Sequence, residues 1–163
     1  MEPFDRLLAD NARQPPPGES LPAPPSLHVS VVTCMDARID VYRALGLSRG
    51  EAHVLRNAGG VITDDTIRSL VISQRRLGTT AVMLVHHTRC GMNGLDEEEL
   101  LAELRAEAGH EPTFALGAFD DLESSVRESI RRVRGCPYLP HRDAVRGFVI
   151  DVDSGRLSEV PDA

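Results

Sequence analysis

DDTIRSLVISQRRLGTTAVMLVHHT, residues 64–88, changes periodicity partway along. In its first part Ile67, Leu70, Val71 and Leu77 recur at the spacing that places them on one face of a helix. Asp64 and Asp65 stand at the start of that helix, where its dipole favours negative charge, and Gly78 follows the end, where a left-handed residue closes the last turn. The second part is a short, nearly unbroken apolar run that ends in two histidines, the pattern of a buried strand.

Working outward from this helix and strand, the same alternation repeats. HVSVVTC (28–34) reads as a strand, IDVYRALGL (39–47) as a helix and AHVLRNA (52–58) as a strand, giving the βαβαβ order of a parallel sheet with crossover helices. Downstream lie two amphipathic stretches, LDEEELLAELRAEAG (95–109) and DDLESSVRESIRRVRG (120–135). The second aligns Leu122, Val126, Ile130 and Val133 on one stripe, with carboxylates first and arginines last as the dipole favours. AVRGFVIDV (144–152) is a fourth strand, and DSGRLSEV (153–160) fits a turn with a short antiparallel return strand. The predicted class is α/β, with residues 27–163 as the domain that carries the chemistry and residues 1–26 as an arm of that same domain. Within the arm, Phe4, Leu7 and Leu8 recur at helical spacing across residues 3–13. Six prolines between Pro15 and Pro25 then impose an extended path, either laid across a surface or left as a disordered tail.

A chain of 163 residues fits one domain with a real core. Its 25 acidic residues outnumber 18 basic ones, all of them arginine, for a formal charge of −7. That balance argues against a phosphate-tracking surface for nucleic acid or anionic lipid and leaves small neutral or anionic substrates. MEPFDRLLADNAR carries charges throughout, unlike a secretory signal, and no window approaches the roughly 20 apolar residues of a membrane span. A cytoplasmic location is the expectation. There, three cysteines serve as thiols, ligands or catalysts more readily than as disulfides.

In a parallel α/β sheet, reactive groups collect where strands end. Cys34 ends the first strand and HHTRCG ends the third, with His87 and Cys90 three residues apart, so that one turn can aim an imidazole and a thiolate at one ion. If these strands are neighbours, Cys34 completes a Cys-His-Cys set suited to zinc, with one coordination position open to an acidified water. Cys34, Asp36 and Arg38 alternate, so extended chain points all three into one cleft. Arg38 can then grip Asp36 in a fork that keeps the carboxylate ionised and off the metal, where it would otherwise fill the fourth position.

Three motifs together, C-x-D-x-R at Cys34, Asp36 and Arg38, RNAGG at Arg56 to Gly60, and H-x-x-C-G at His87, Cys90 and Gly91, resemble the β-class carbonic anhydrases, in particular their compact bacterial branch. The resemblance implies a four-stranded parallel core sheet with flanking helices, an added antiparallel C-terminal strand and an extended N-terminal arm. It implies an enzyme interconverting carbon dioxide and bicarbonate by attack of zinc-bound hydroxide, with one Zn2+ per chain. Cys34, His87 and Cys90 would be the ligands and Asp36 with Arg38 the catalytic dyad, Asp36 moving onto the metal in a closed resting form. A homodimer or dimer of dimers is also implied, its N-terminal arm embracing the partner subunit.

RNAGG reads either as a flexible connection or as a line of small residues, Asn57, Ala58 and Gly59, whose backbone borders a narrow substrate pocket together with Gly91. Arg89 stands where relatives more often carry a small polar or acidic residue, and its charge either recruits bicarbonate or faces solvent. With no Trp in the chain, the inhibitory bicarbonate pocket of some closed-form relatives is not carried over. His86 is read as structural, Cys136 has no assigned role, and Asp96 to Glu99 read as a solvated helix start. Two rival functions share the ligand set. One is hydrolysis of carbonyl sulfide or carbon disulfide, the other a non-catalytic zinc or thiol sensor in which Asp36 permanently closes the tetrahedron.

Overall fold

The computed structural model describes residues 2–162. Helix α1 spans Pro3–Arg13, and the sheet begins with β1, Val29–Cys34. There follow α2 (Val41–Leu45), β2 (Ala52–Asn57), a single 3-10 turn (Ala58–Gly60), α3 (Asp64–Leu77) and β3 (Ala81–His87). The chain ends with α4 (Glu97–Ala108), α5 (Leu122–Arg134), β4 (Val145–Ile150) and β5 (Leu157–Val160).

The five strands lie in the order β2-β1-β3-β4-β5, with β1 to β4 parallel and β5 returning antiparallel on β4. Thus β1 and β3 are direct neighbours, the condition for Cys34 to meet His87 and Cys90. Alternate residues divide the sheet into two packed faces. Val32, Leu84, Val82 and Val145 meet Leu70 of α3 and Val126, Ile130 and Val133 of α5, all fully or nearly fully buried. Val31, Val85 and Ile150 turn the other way, against Val41 of α2 and the two buried cysteines Cys34 and Cys90.

Helix boundaries follow the capping chemistry. The hydroxyl of Thr63 accepts from the Thr66 amide at the start of α3, while Asp96 and Asp121 cap α4 and α5 in the same way. Helix α2 is shorter than its sequence pattern, because Asp40 caps it and Gly46 ends it in the left-handed region. In α3 the buried face is partly polar: Leu70 is buried with Thr66, Ser73 and Gln74, whereas Ile67, Val71 and Leu77 are half-buried. Ser73 Oγ is 2.8 Å from Ser30 Oγ, 2.7 Å from Thr79 Oγ1 and 2.7 Å from His53 Nδ1, and the Gln74 amide oxygen accepts from His141 N at 3.0 Å. These bonds allow polar groups into a core stripe where periodicity alone nominates aliphatic ones.

The arm divides. Its root lies on the body, since Arg49 donates to the Glu19 carbonyl at 2.6 Å and the Ser26 and Leu27 amides donate to the Gly50 and Glu51 carbonyls. Helix α1 buries none of its residues.

Candidate metal centre and active site

The last rungs of β1 and β3 place the donors. Cys34 pairs with Asn57 of β2 at the end of β1, and His87 closes β3 opposite Ile150. The turn that follows β3 brings Cys90 back, so that one donor atom each from Cys34, His87 and Cys90 lies within 4.8 Å of the others, all three residues being buried. His87 Nδ1 donates to the Thr88 carbonyl at 2.9 Å, which fixes the tautomer and leaves the Nε2 lone pair free. Nε2 is buried and has no hydrogen-bond partner among the described residues. Burial holds the His87 imidazole below its ordinary pKa and pushes the Cys90 thiol above its own, so metal-free protein favours neutral imidazole and protonated thiol. Two sulfurs and one unsatisfied imidazole nitrogen are a donor set that fits zinc.

Asp36 and Arg38 stand beside this cluster as a tight pair. Arg38 donates from Nε to Oδ1 at 2.9 Å, from Nη2 to Oδ2 at 2.6 Å and from its backbone amide to Oδ1 at 2.9 Å. The side-chain bond from Arg38 holds the Asp36 carboxyl well below the usual carboxylate range, and the same bond raises the Arg38 guanidinium above its ordinary value. Asp36 Oδ2 lies 3.9 Å from His87 Nε2. The close set of donors is Cys34, His87 and Cys90, while the Asp36 carboxylate faces Arg38. Arg38 Nη2 also donates to the Arg89 carbonyl at 3.0 Å, tying the turns after β1 and β3 together.

Arg89 adopts φ 55°, a left-handed conformation uncommon for a residue with a Cβ, and its side chain pairs with Asp153 at the surface. Thr88 Oγ1 donates to Asp151 Oδ2 at 3.3 Å and accepts from the Val152 amide at 3.1 Å, so the loop between β4 and β5 buttresses the ligand turn. On the other side, Gly60 sits at φ 68°, and a Cβ there would lie 2.8 Å from the Cys34 amide nitrogen and 2.9 Å from the Thr33 carbonyl carbon. Only glycine lets the RNAGG turn come this close to the ligand strand.

Of the residues expected to border a pocket, Gly59 is buried, Asn57 and Ala58 are half-buried and Gly91 is exposed. The Asn57 amide nitrogen donates to the Val61 carbonyl at 2.7 Å and to Thr66 Oγ1 at 3.1 Å, locking the RNAGG turn onto α3. His86 is fully buried, its ring 5.9 Å from that of Phe119, with neither nitrogen bonded, and burial pushes its pKa down to about 4. Cys136 is a buried free thiol in the core under α5, away from the donors. Asp96 caps α4 and Glu97 to Glu99 form its first turn, as their composition predicts.

Sequence reasoning left Arg56 without a role, although it opens the RNAGG motif. Its Nε donates to the Cys34 carbonyl at 2.9 Å and its Nη2 to the Asp36 carbonyl at 2.7 Å. Met92 and Phe119, packed against the cluster that contains Cys34 and Cys90, carried no sequence signal, because only the folded loop brings them there.

A carbonic anhydrase family profile matches residues 29–108. Beta-carbonic anhydrase 1 of Mycobacterium tuberculosis is 50% identical over 140 residues, 86% of each chain. A carbon disulfide hydrolase of Acidithiobacillus thiooxidans is 33% identical over 148 residues, spanning 78% of this chain and 74% of that protein. Among solved structures, the carbonic anhydrase of Streptococcus mutans superposes with a TM-score of 0.89 at 40% identity, covering 99% of both chains. At 50% identity over 140 residues to a β-carbonic anhydrase, and with a fold that superposes on a solved carbonic anhydrase along almost its whole length, the chain belongs to the β-carbonic anhydrase family.

Proposed function

We propose that this chain is a zinc carbonic anhydrase interconverting carbon dioxide and bicarbonate, with Cys34, His87 and Cys90 as the metal ligands. The observation that carries this reading is the convergence of those three donors within 4.8 Å beside a carboxylate already gripped by an arginine. Zinc held there supplies Lewis acidity that makes a water nucleophilic, less strongly than at a three-imidazole site because two thiolates donate charge to the ion.

The chain's own residues do the rest. Asp36 is the hydrogen-bond acceptor that orients the reacting water, with Oδ2 close to the donor cluster. Because its carboxyl is held so far below the usual range, it is a weak base near neutrality and passes the proton on rather than storing it. Arg38 keeps both carboxylate oxygens from swinging onto the metal, and its cation favours the anionic product. Asn57, Ala58, Gly59 and Gly91 border the space for a small linear substrate. In a closed state Asp36 would join Cys34, His87 and Cys90 in holding the metal, which would require the Arg38 fork to break.

The test is stopped-flow hydration of carbon dioxide by zinc-loaded protein between pH 6.5 and 9, with Arg38→Ala alongside. The rate is expected to rise toward alkaline pH, and absence of hydration at every pH would defeat the proposal in favour of a zinc or thiol sensor. Against the sensor stands the intact Asp36–Arg38 fork, which a purely structural metal site has no need of. Likeness to a carbon disulfide hydrolase supports a second reading, hydrolysis of carbon disulfide or carbonyl sulfide at the same centre. Side-by-side turnover of the three substrates separates the two.

Residues 1–26 are proposed to act as an arm of the same domain, reaching a second copy in a homodimer through α1, with a dimer of dimers as the larger assembly. A cytoplasmic location accords with the reading of the sequence. No helix among the described residues is long and apolar enough to cross a membrane.

A further inference from the structure

The pairing of β1 with β2 ends at the rung that carries Cys34. Cys34 pairs with Asn57, the Met35 amide donates to the Asn57 carbonyl at 2.8 Å, and beyond that rung residues 35–40 form a loop with no strand beside it. The Cys34 sulfur at the end of β1 and the Asp36 carboxylate in that loop must nevertheless be aimed at one centre. Arg38 holds the carboxylate by its tip, which fixes its orientation relative to Arg38 but not the backbone from which both side chains project.

Arg56 supplies what the missing strand would. It sits next to Asn57 on β2, opposite Thr33, and its guanidinium bridges the carbonyls of Cys34 and Asp36, at 2.9 and 2.7 Å. Both peptide planes are thereby fixed from one rigid fork, and with them the Cα–Cβ directions of residues 34 and 36. A planar guanidinium reaches two acceptors in set geometry, whereas an ammonium on a flexible stem is a point donor.

We infer that Arg56 is a positioning residue for the centre: by clamping the carbonyls on either side of Met35 it holds the Cys34 sulfur and the Asp36 carboxylate in register with His87 and Cys90. This rests on the reading of Cys34, His87 and Cys90 as zinc ligands. Outer groups that orient ligands in this way usually change metal affinity or activity by 10–100-fold when removed.

Arg56→Ala and Arg56→Lys in the full-length chain test it through three readouts: zinc affinity by competition with a chromophoric chelator, the visible ligand-field spectrum of the cobalt-substituted protein, and kcat and KM for carbon dioxide hydration. Both variants are expected to bind zinc about 10–100-fold more weakly, to change the cobalt spectrum, and to lose kcat by a similar factor with KM within about twofold. A role confined to folding would lower the melting temperature and leave the cobalt spectrum of the folded protein as in wild type, which overturns the inference. So does full recovery of zinc affinity and kcat in Arg56→Lys, since charge alone would then suffice. If Arg56→Ala does not fold, Arg56→Lys decides, because it keeps the stem and the charge and loses only the fork. Hydration by the wild-type enzyme with unaltered zinc affinity and spectrum in the variants removes this inference while leaving the proposed function standing. Should the wild-type protein not hydrate carbon dioxide, zinc affinity and the cobalt spectrum still judge Arg56 by themselves.

Discussion

At residue scale the centre is a contest over where one carboxylate points. Asp36 Oδ2 is 3.9 Å from His87 Nε2 and 2.6 Å from Arg38 Nη2, so it is near enough to the donors to join them and is held by the stronger grip. Arg38→Ala releases it, and kcat for hydration is expected to fall by about 100-fold, the usual loss for a preorganised electrostatic partner, while far-UV circular dichroism is unchanged. His86 gives a second prediction, this one about stability. Its folded-state pKa of about 4 lies below the roughly 6.5 of an exposed imidazole, so the unfolded chain binds the extra proton. The stabilisation from keeping it neutral is therefore complete above about pH 6.5 and lost as pH falls toward 4, a difference of about 3 kcal/mol. His86→Phe, packed on Phe119, should flatten the acid limb of the melting-temperature profile relative to wild type; an identical limb in both proteins would refute this. What the sequence revealed at this scale was whatever depends on spacing: Cys34, Asp36 and Arg38 at alternate positions, and His87 and Cys90 one turn apart. What it hid were bonds to carbonyls, from Arg56 to residues 34 and 36 and from Arg38 to residue 89, because these depend on backbone directions such as the left-handed Arg89 that no residue type announces.

At the scale of elements, alternating apolar runs and amphipathic stretches disclosed all five strands and the longer helices, of which α3 and α5 bury a face against the sheet while α1 and α4 bury no residue. Their ends were legible where carboxylates or a glycine mark them, as at Asp64, Asp96, Asp121 and Gly78, whereas the Thr63 cap of α3 was not read from the sequence. The polar side of α3 was not legible. Ser73 and Gln74 read as solvent-facing by type and are buried because partners distant in sequence satisfy them. The RNAGG turn is the element whose conformation bears most directly on the centre. In Gly60→Ala the new methyl group would press on the backbone of Thr33 and Cys34 from a left-handed conformation. Backbone cannot give way as a flexible side chain would, so the expected loss is about 2–4 kcal/mol of stability together with weaker zinc binding. Chemical denaturation and chelator competition measure the two effects, and retention of wild-type values in both would show that the turn relaxes without disturbing β1.

For the whole molecule, the unbalanced feature is α1. An isolated helix of 11 residues is marginal in water, yet this one buries none of its residues and leaves Phe4, Leu7 and Leu8 at 77%, 64% and 69% exposure. Three large apolar groups on one short helix are better explained by a surface that covers them than by solvent. The tether through Glu19, Ser26 and Leu27 holds the arm's root on the body, and in the proposed homodimer a second copy would supply the surface that covers α1. In a two-fold dimer every arm contact occurs twice. Burying Leu7 and Leu8 at no less than 1.5 kcal/mol each would then contribute about 6 kcal/mol across both arms. The double variant Leu7→Glu, Leu8→Glu should accordingly weaken self-association by roughly 10,000-fold. Sedimentation equilibrium is expected to give wild-type protein at twice the 17.8 kDa chain mass and the variant at the chain mass itself. A wild-type protein sedimenting at the chain mass, or a variant that remains dimeric, would mean that α1 has some other purpose than joining two copies.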